Sequence, residues 1–154
     1  MVMRELCCVE MIIGTSGYFR WGLRRVRDWI VQALADLKAA HDLLNSSNYA
    51  WACFASHQAA EKALKAILEH FGTPSTGHNL LELLAEVSAH VEVSEELRDD
   101  CKTLNRYYIP TRYPNAFSSG APAEMYDEKD AREAYSRAER VVRFAQRITG
   151  IAQG

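Results

Sequence analysis

Residues 49–71 read YAWACFASHQAAEKALKAILEHF. Ala recurs throughout, and Gln58, Glu61, Lys62, Lys65 and Glu69 fall on one narrow arc at helical spacing. The rest of the circumference is apolar. A helix with so thin a polar stripe is packed on several sides, so this segment is predicted to lie at the centre of the fold. Its small Ala side chains let neighbouring helices approach closely. Gly72-Thr73-Pro74 ends it.

Upstream, Val26, Trp29, Ile30, Ala33, Leu34, Leu37, Ala40 and Leu44 repeat at steps of three and four, which predicts a helix over 23–44. Asn45-Ser-Ser-Asn48 breaks it, and Ser47 or Asn48 can cap the next helix. Downstream, a short helix is expected over 78–87, with Leu80, Leu81, Leu83 and Leu84. A fourth follows Ser94, whose Glu95 and Glu96 suit a first turn. It carries Leu97, Cys101, Leu104 and Tyr108 inward and stops at Pro110. A fifth starts at Asp127 and runs to about Ile148. No alternating run is long enough for a strand, and no internal repeat appears. The expected fold is all-α: an antiparallel up-and-down helical bundle of four long helices and one short one.

The chain has 154 residues, 48% hydrophobic and 25% charged, with a formal net charge of −2. That suits one domain with one core (23–149, with a short tail over 150–154) and no global attraction to nucleic acid or membrane. Charges cut every apolar stretch, so no bilayer span is expected. Glu5 and Glu10 interrupt the first 22 residues and argue against a signal peptide; the segment reads as a docking arm, a frayed tail or an upstream start. A cytoplasmic location is expected. Cys7, Cys8, Cys53 and Cys101 form no Cys-x-x-Cys pair and no His stands at metal spacing from them, so reduced thiols, no metal and no cofactor are expected, with two of the cysteines buried.

The stretch 111–122, TRYPNAFSSGAP, interrupts this helical pattern. The loop from Pro110 to Tyr126 exceeds the usual length of a structureless connection in a compact domain. Tyr107, Tyr108, Arg112, Tyr113 and Phe117 can pack or stack, whereas SSGAPAE (118–124) reads as flexible.

Three stretches together resemble the HEPN domain family (higher eukaryotes and prokaryotes nucleotide-binding). CFASHQAAEKALKAIL (53–68) resembles its Ala-rich signature, GHNLLELL (77–84) its His-x-Leu segment, and LNRYYIPTRYPNAF (104–117) its Leu-x-x-Tyr…Arg-Tyr-Pro-Asp segment. The resemblance covers about 23–149. It implies a helical bundle that pairs as a homodimer or higher homo-oligomer, working beside a minimal nucleotidyltransferase in a toxin–antitoxin couple. It also implies that catalytic members are metal-independent ribonucleases using an Arg, four to six residues, then a His. Here the Arg is Arg112. Phe117, Ser118 and Ser119 occupy the places of the His, and no His follows His90. Asn115 replaces the family's Asp.

Metal-free RNA cleavage needs a base for the 2′-hydroxyl and an acid for the leaving oxygen. Phe117 supplies neither, Asn115 is a neutral amide, and Tyr113 titrates too high to be a good base. His57 and His78 lie outside the motif and read as caps or packed histidines. Arg112 suits a phosphate through its planar fork, and Tyr113 offers a stacking face. It equally suits an ion pair with a carboxylate at the end of the fourth helix. Lys62 and Lys65 could reach a phosphate, but Glu61 and Glu69 stand four residues from Lys65, and a solvated or partner-facing stripe is the simpler reading. Arg137, Arg140, Arg143 and Arg147 share one face of the last helix, where a solvated face outweighs a nucleic-acid track. The expected function is a nucleotide- or phosphate-binding or partner-binding module with a degenerate ribonuclease motif, its site drawn from Arg112, Tyr113, Asn115, Tyr108, Lys62 and Lys65. The alternatives are an active ribonuclease built on Arg112 with an unconventional helper, and a structural dimer subunit.

Overall fold

The computed structural model describes the backbone of residues 5–152 and the side chains of residues 25–152. Six α-helices follow one another: α1 (Glu5–Asn45), α2 (Tyr49–His70), α3 (Leu80–Ser88), α4 (Glu95–Leu104), α5 (Pro122–Met125) and α6 (Glu128–Thr149). There is no strand among the described residues. The reading of residues 1–22 as an arm concerns side chains outside those described.

The Ala-rich segment is central. α2 packs most extensively on α1 and then on α6, and it also meets α3 and α4. A three-residue turn returns the chain from α1 to α2, which makes them antiparallel neighbours. Ala52, Ala59, Ala60, Ala63 and Ala66 of α2 are fully buried, as are Ala33 and Ala40 of α1 and Ala131, Ala134 and Ala138 of α6. Small residues on all three helices bring the backbones close, and Ile30, Leu64, Ile67, Leu68 and Leu104 fill the space between them. Cys53 and Cys101 are free and buried, and burial pushes each thiol up to about 12, so they act as small apolar residues.

The helix ends follow local chemistry. Ser94 caps α4 by accepting from the Leu97 amide. Asp127 accepts from the Asp130 amide, while the Asp130 carboxylate accepts from the Asp127 amide, a reciprocal cap on α6. Gly150, at φ 70°, closes α6 in the left-handed region that glycine tolerates. At α2 the capping expectation needs correction: Asn48 holds the N-cap position, but its side chain turns back to donate to Ser46.

Three further details differ from the sequence expectation. The first helix begins at Glu5, well upstream of the expected residue 23. The fourth helix ends at Leu104 and tightens into a 3₁₀ turn over Asn105–Tyr107, so Tyr108 lies beyond it. The stretch read as flexible contains α5, started by the buried Pro122, with the Glu124 carboxylate accepting from the Ala121 amide. Small residues there serve a tight path across the bundle.

Candidate functional site

The site forms where α2, the lead-in to α3 and the segment after α4 meet. α2 contributes Phe54, His57, Glu61 and Lys65. The Asn105 side chain accepts from the Leu80 amide at 2.8 Å, which ties the start of α3 to the 3₁₀ turn. Asn79 caps α3 through the Leu81 and Glu82 amides. These bonds set His78 beside Tyr108. Beyond the turn, the buried Thr111 hydroxyl donates to the Tyr107 carbonyl at 2.6 Å, and Arg112 Nε donates to the Tyr108 carbonyl at 2.8 Å.

Arg112 is therefore held by its backbone-facing nitrogen, and its guanidinium is enclosed by aromatic rings. Its Cζ lies 4.4 Å from the Phe54 ring centre, 4.7 Å from that of Tyr108 and 5.0 Å from that of Tyr113. Among the described residues no carboxylate lies within ion-pair distance of it. The ion pair with the end of the fourth helix is thus replaced by a cradle of rings, and the two terminal nitrogens keep donors to offer. Tyr113 is about half exposed, and so is Trp51, whose ring meets Phe54 edge-on at 5.9 Å. Asn115 stands exposed in a second 3₁₀ turn, Pro114–Ala116.

Phe117, in the place of the motif His, packs edge-on against Tyr126 at 6.4 Å, and Tyr126 meets Tyr107. That position serves the packing of the loop.

The two histidines outside the motif, read from the sequence as caps or packed residues, both pack against Tyr108. His57 is fully buried, with its ring 5.1 Å from that of Tyr108. Burial pulls its pKa down to about 4, against the opposing pull of Glu61, so it is neutral near pH 7. Its Nε2 has no hydrogen-bond partner. The His78 ring lies nearly parallel to Tyr108 at 5.2 Å, and its Nδ1 is 3.0 Å from Glu61 Oε1. For His57 the sequence carries a signal, since it stands one helical turn before Glu61. The contact between α2 and the lead-in to α3 is tertiary and has no trace in local sequence.

The polar stripe of α2 is neither solvated nor free. Glu61 and Lys65 are buried and paired at 2.9 Å, and Lys65 also lies 5.6 Å from the Trp29 ring centre. Burial raises the Glu61 pKa, but the bonds from Lys65 and His78 outweigh it and hold the carboxyl below its ordinary value. Lys62 is bound to Asp36 of α1 and to Gln58. Both lysines are consumed by carboxylates of this chain, because packing α1 over the stripe leaves each cation needing a nearby anion.

The arginines of α6 are likewise used internally in part. Arg137 bonds Asp99, Asp100 and Glu133, and Arg140 bonds Asp100 through two nitrogens. Arg143 pairs with Glu139 on the exposed face. Among the described residues no three His, Cys, Asp or Glu side chains converge as a metal-ligand set, and no helix is long and apolar enough to cross a membrane.

This bundle, with an arginine presented from the segment before the last helix, matches the HEPN domain model over residues 26–148, and the chain belongs to that family. A solved structure of TT1696 from Thermus thermophilus is 43% identical, with a TM-score of 0.79, covering 80% of this chain and 98% of that one. ST0689, an archaeal HEPN homologue, is 35% identical with a TM-score of 0.69, covering 80% and 97%. An HEPN domain protein of Thermotoga maritima is 32% identical with a TM-score of 0.66, covering 81% and 99%. A Methanocaldococcus jannaschii protein bearing the name "Putative toxin MJ1304" is 24% identical over 131 residues, covering 79% of this chain and 86% of its own length.

Proposed function

We propose that this HEPN-domain protein is a binding module that takes a phosphate-bearing ligand, a nucleotide or RNA, at Arg112. One observation carries the reading. The Arg112 guanidinium is oriented by one backbone bond and three rings, yet has no carboxylate partner among the described residues. A cation so held, with donors to spare, is organised for an anion that comes from outside. Tyr113 and Trp51 supply exposed rings for a base or for a partner surface. Phe117 leaves the ribonuclease motif without its His, so cleavage is not the expected outcome.

The name of the Methanocaldococcus relative supports a place in a toxin–antitoxin couple. The family resemblance alone suggests the rest of that couple, a minimal nucleotidyltransferase as partner and a second copy of this chain completing a dimer. The exposed Trp51, Ile109 and Tyr113 are the surface such a contact would cover. A second reading, a metal-free ribonuclease, draws on His78, which would supply beside Arg112 the acid–base group that the motif lacks.

Labelled RNA incubated without metal separates the two. Under the binding reading, wild type shifts RNA on a native gel and leaves it intact on a denaturing gel, Arg112→Ala loses the shift, and Phe117→His introduces cleavage. Turnover by wild type that both Arg112→Ala and His78→Gln remove would establish the enzyme instead. Identical binding by wild type and Arg112→Ala would overturn the site.

A further inference from the structure

His78 shares Tyr108 as a neighbour with Arg112, and the binding reading leaves it unused. Its Nδ1 meets Glu61 Oε1 at 3.0 Å, and Glu61 is fixed in turn by Lys65. A carboxylate only accepts, so Nδ1 carries the hydrogen and Nε2 is the free nitrogen of the ring. Among the described residues Nε2 has no hydrogen-bond partner, and the side chain, 55% exposed, is open to solvent. Tyr108 is the common neighbour of the two groups. The His78 ring lies against it at 5.2 Å, and Arg112 Cζ stands 4.7 Å from its centre. The other charged or titratable groups in the cluster are Glu61, Lys65, Tyr108, Tyr113 and the neutral His57, so Arg112 is the one cation there without a carboxylate among the described residues.

We infer that His78 is a second phosphate-contacting residue of the Arg112 site, and that the site therefore prefers a terminal phosphate monoester to a phosphodiester. The inference rests on the Arg112 reading above. A monoester carries about −1.5 to −2 charges near neutral pH and three terminal oxygens. A diester carries one charge and has two such oxygens. The two terminal nitrogens of Arg112 satisfy two oxygens in a forked contact. Only the monoester leaves a third oxygen and a further charge for His78, whose Nε2 donates a charge-assisted hydrogen bond to it when the ring carries both protons. Glu61 is a positioning residue here: it fixes the ring and its tautomer without touching the phosphate.

The test is a calorimetric titration of the full chain near neutral pH with AMP and with its methyl phosphodiester. Wild type, His78→Gln and Arg112→Ala are compared. Gln retains an N–H for Glu61 but cannot take the charge, and a thermal melt matching wild type confirms its fold. Wild type is expected to bind AMP about tenfold more tightly than the methyl ester, the size of one charge-assisted hydrogen bond. In His78→Gln that ratio falls to about two or less, through weaker AMP binding alone, and Arg112→Ala loses both probes. An unchanged ratio in His78→Gln, with both probes lost in Arg112→Ala, overturns the role of His78 and leaves the Arg112 reading standing. If wild type binds neither probe, or Arg112→Ala binds both as wild type does, both readings fall.

Discussion

Two arginine clusters occupy different regions of this bundle, and their difference separates structure from site. At the α4–α6 contact, the fully buried Asp100 receives Arg140 at 2.6 and 2.8 Å and Arg137 at 2.9 Å. Asp99 and Glu133 take further bonds from Arg137. Burial lowers the Arg137 pKa, but the bonds it donates to Asp99 and Glu133 more than offset this and hold it above its ordinary value. Each cation is matched by an anion of the same chain. Around Tyr108 the account does not close. Arg112 has rings and one carbonyl, His57 has an orphan nitrogen, and His78 has one nitrogen engaged and one free. A closed cluster staples helices together. An open one leaves polar atoms without a partner among the described residues.

The sharpest way to break this comparison is Asp100→Ala. It strands Arg137 and Arg140 against a buried gap, so a loss of about 3 kcal/mol is expected in urea unfolding. A loss below about 1 kcal/mol would show that the closed cluster is not a staple.

The orphan histidine sets the next effect, through pH. His57 titrates at about 4 in the fold, against an ordinary value of 6.5. Between these values the unfolded chain binds a proton and the folded chain does not. Stability is therefore full above about 6.5 and falls as pH drops toward 4, by about 3 kcal/mol for this group. His57→Leu is expected to flatten that slope in melts taken across the window, and an unchanged slope would assign it to other groups.

Arg112→Ala should move stability and function apart. The lost ring contacts amount to about 1 kcal/mol in the melt, while phosphate binding falls more than about tenfold. Loss of binding only in step with unfolding would make Arg112 structural, like Arg137. The smallest effect belongs to Arg143→Ala, where one exposed pair with Glu139 is removed. Stability there should change by less than about 0.5 kcal/mol, and phosphate binding not at all.

Much of the fold is legible in the chain itself. Helix periodicity places the core residues Ile30, Ala33, Leu64, Leu97 and Leu104, and local chemistry places the caps at Ser94 and Asp127. The Arg112–Tyr113 pair and the substitution at Phe117 are equally plain. Contacts between residues far apart in sequence are the part that stays hidden. Lys62 reads as a free cation because its partner, Asp36, is on α1. Arg137 and Arg140 read as a solvated face because Asp100 is on α4.

The amino-acid sequence determined the class of the fold, its central helix and its family, because spacing of 3.6 residues and local capping act within a few residues of chain. The tertiary structure decided which charges are satisfied. An ion pair or a stacked ring depends on distance in space, and no local pattern reveals that His57 and His78 close around the same tyrosine as Arg112. That is why the packing of the helices, and not the spacing of residues along them, singles out the cation left without a carboxylate among the described residues.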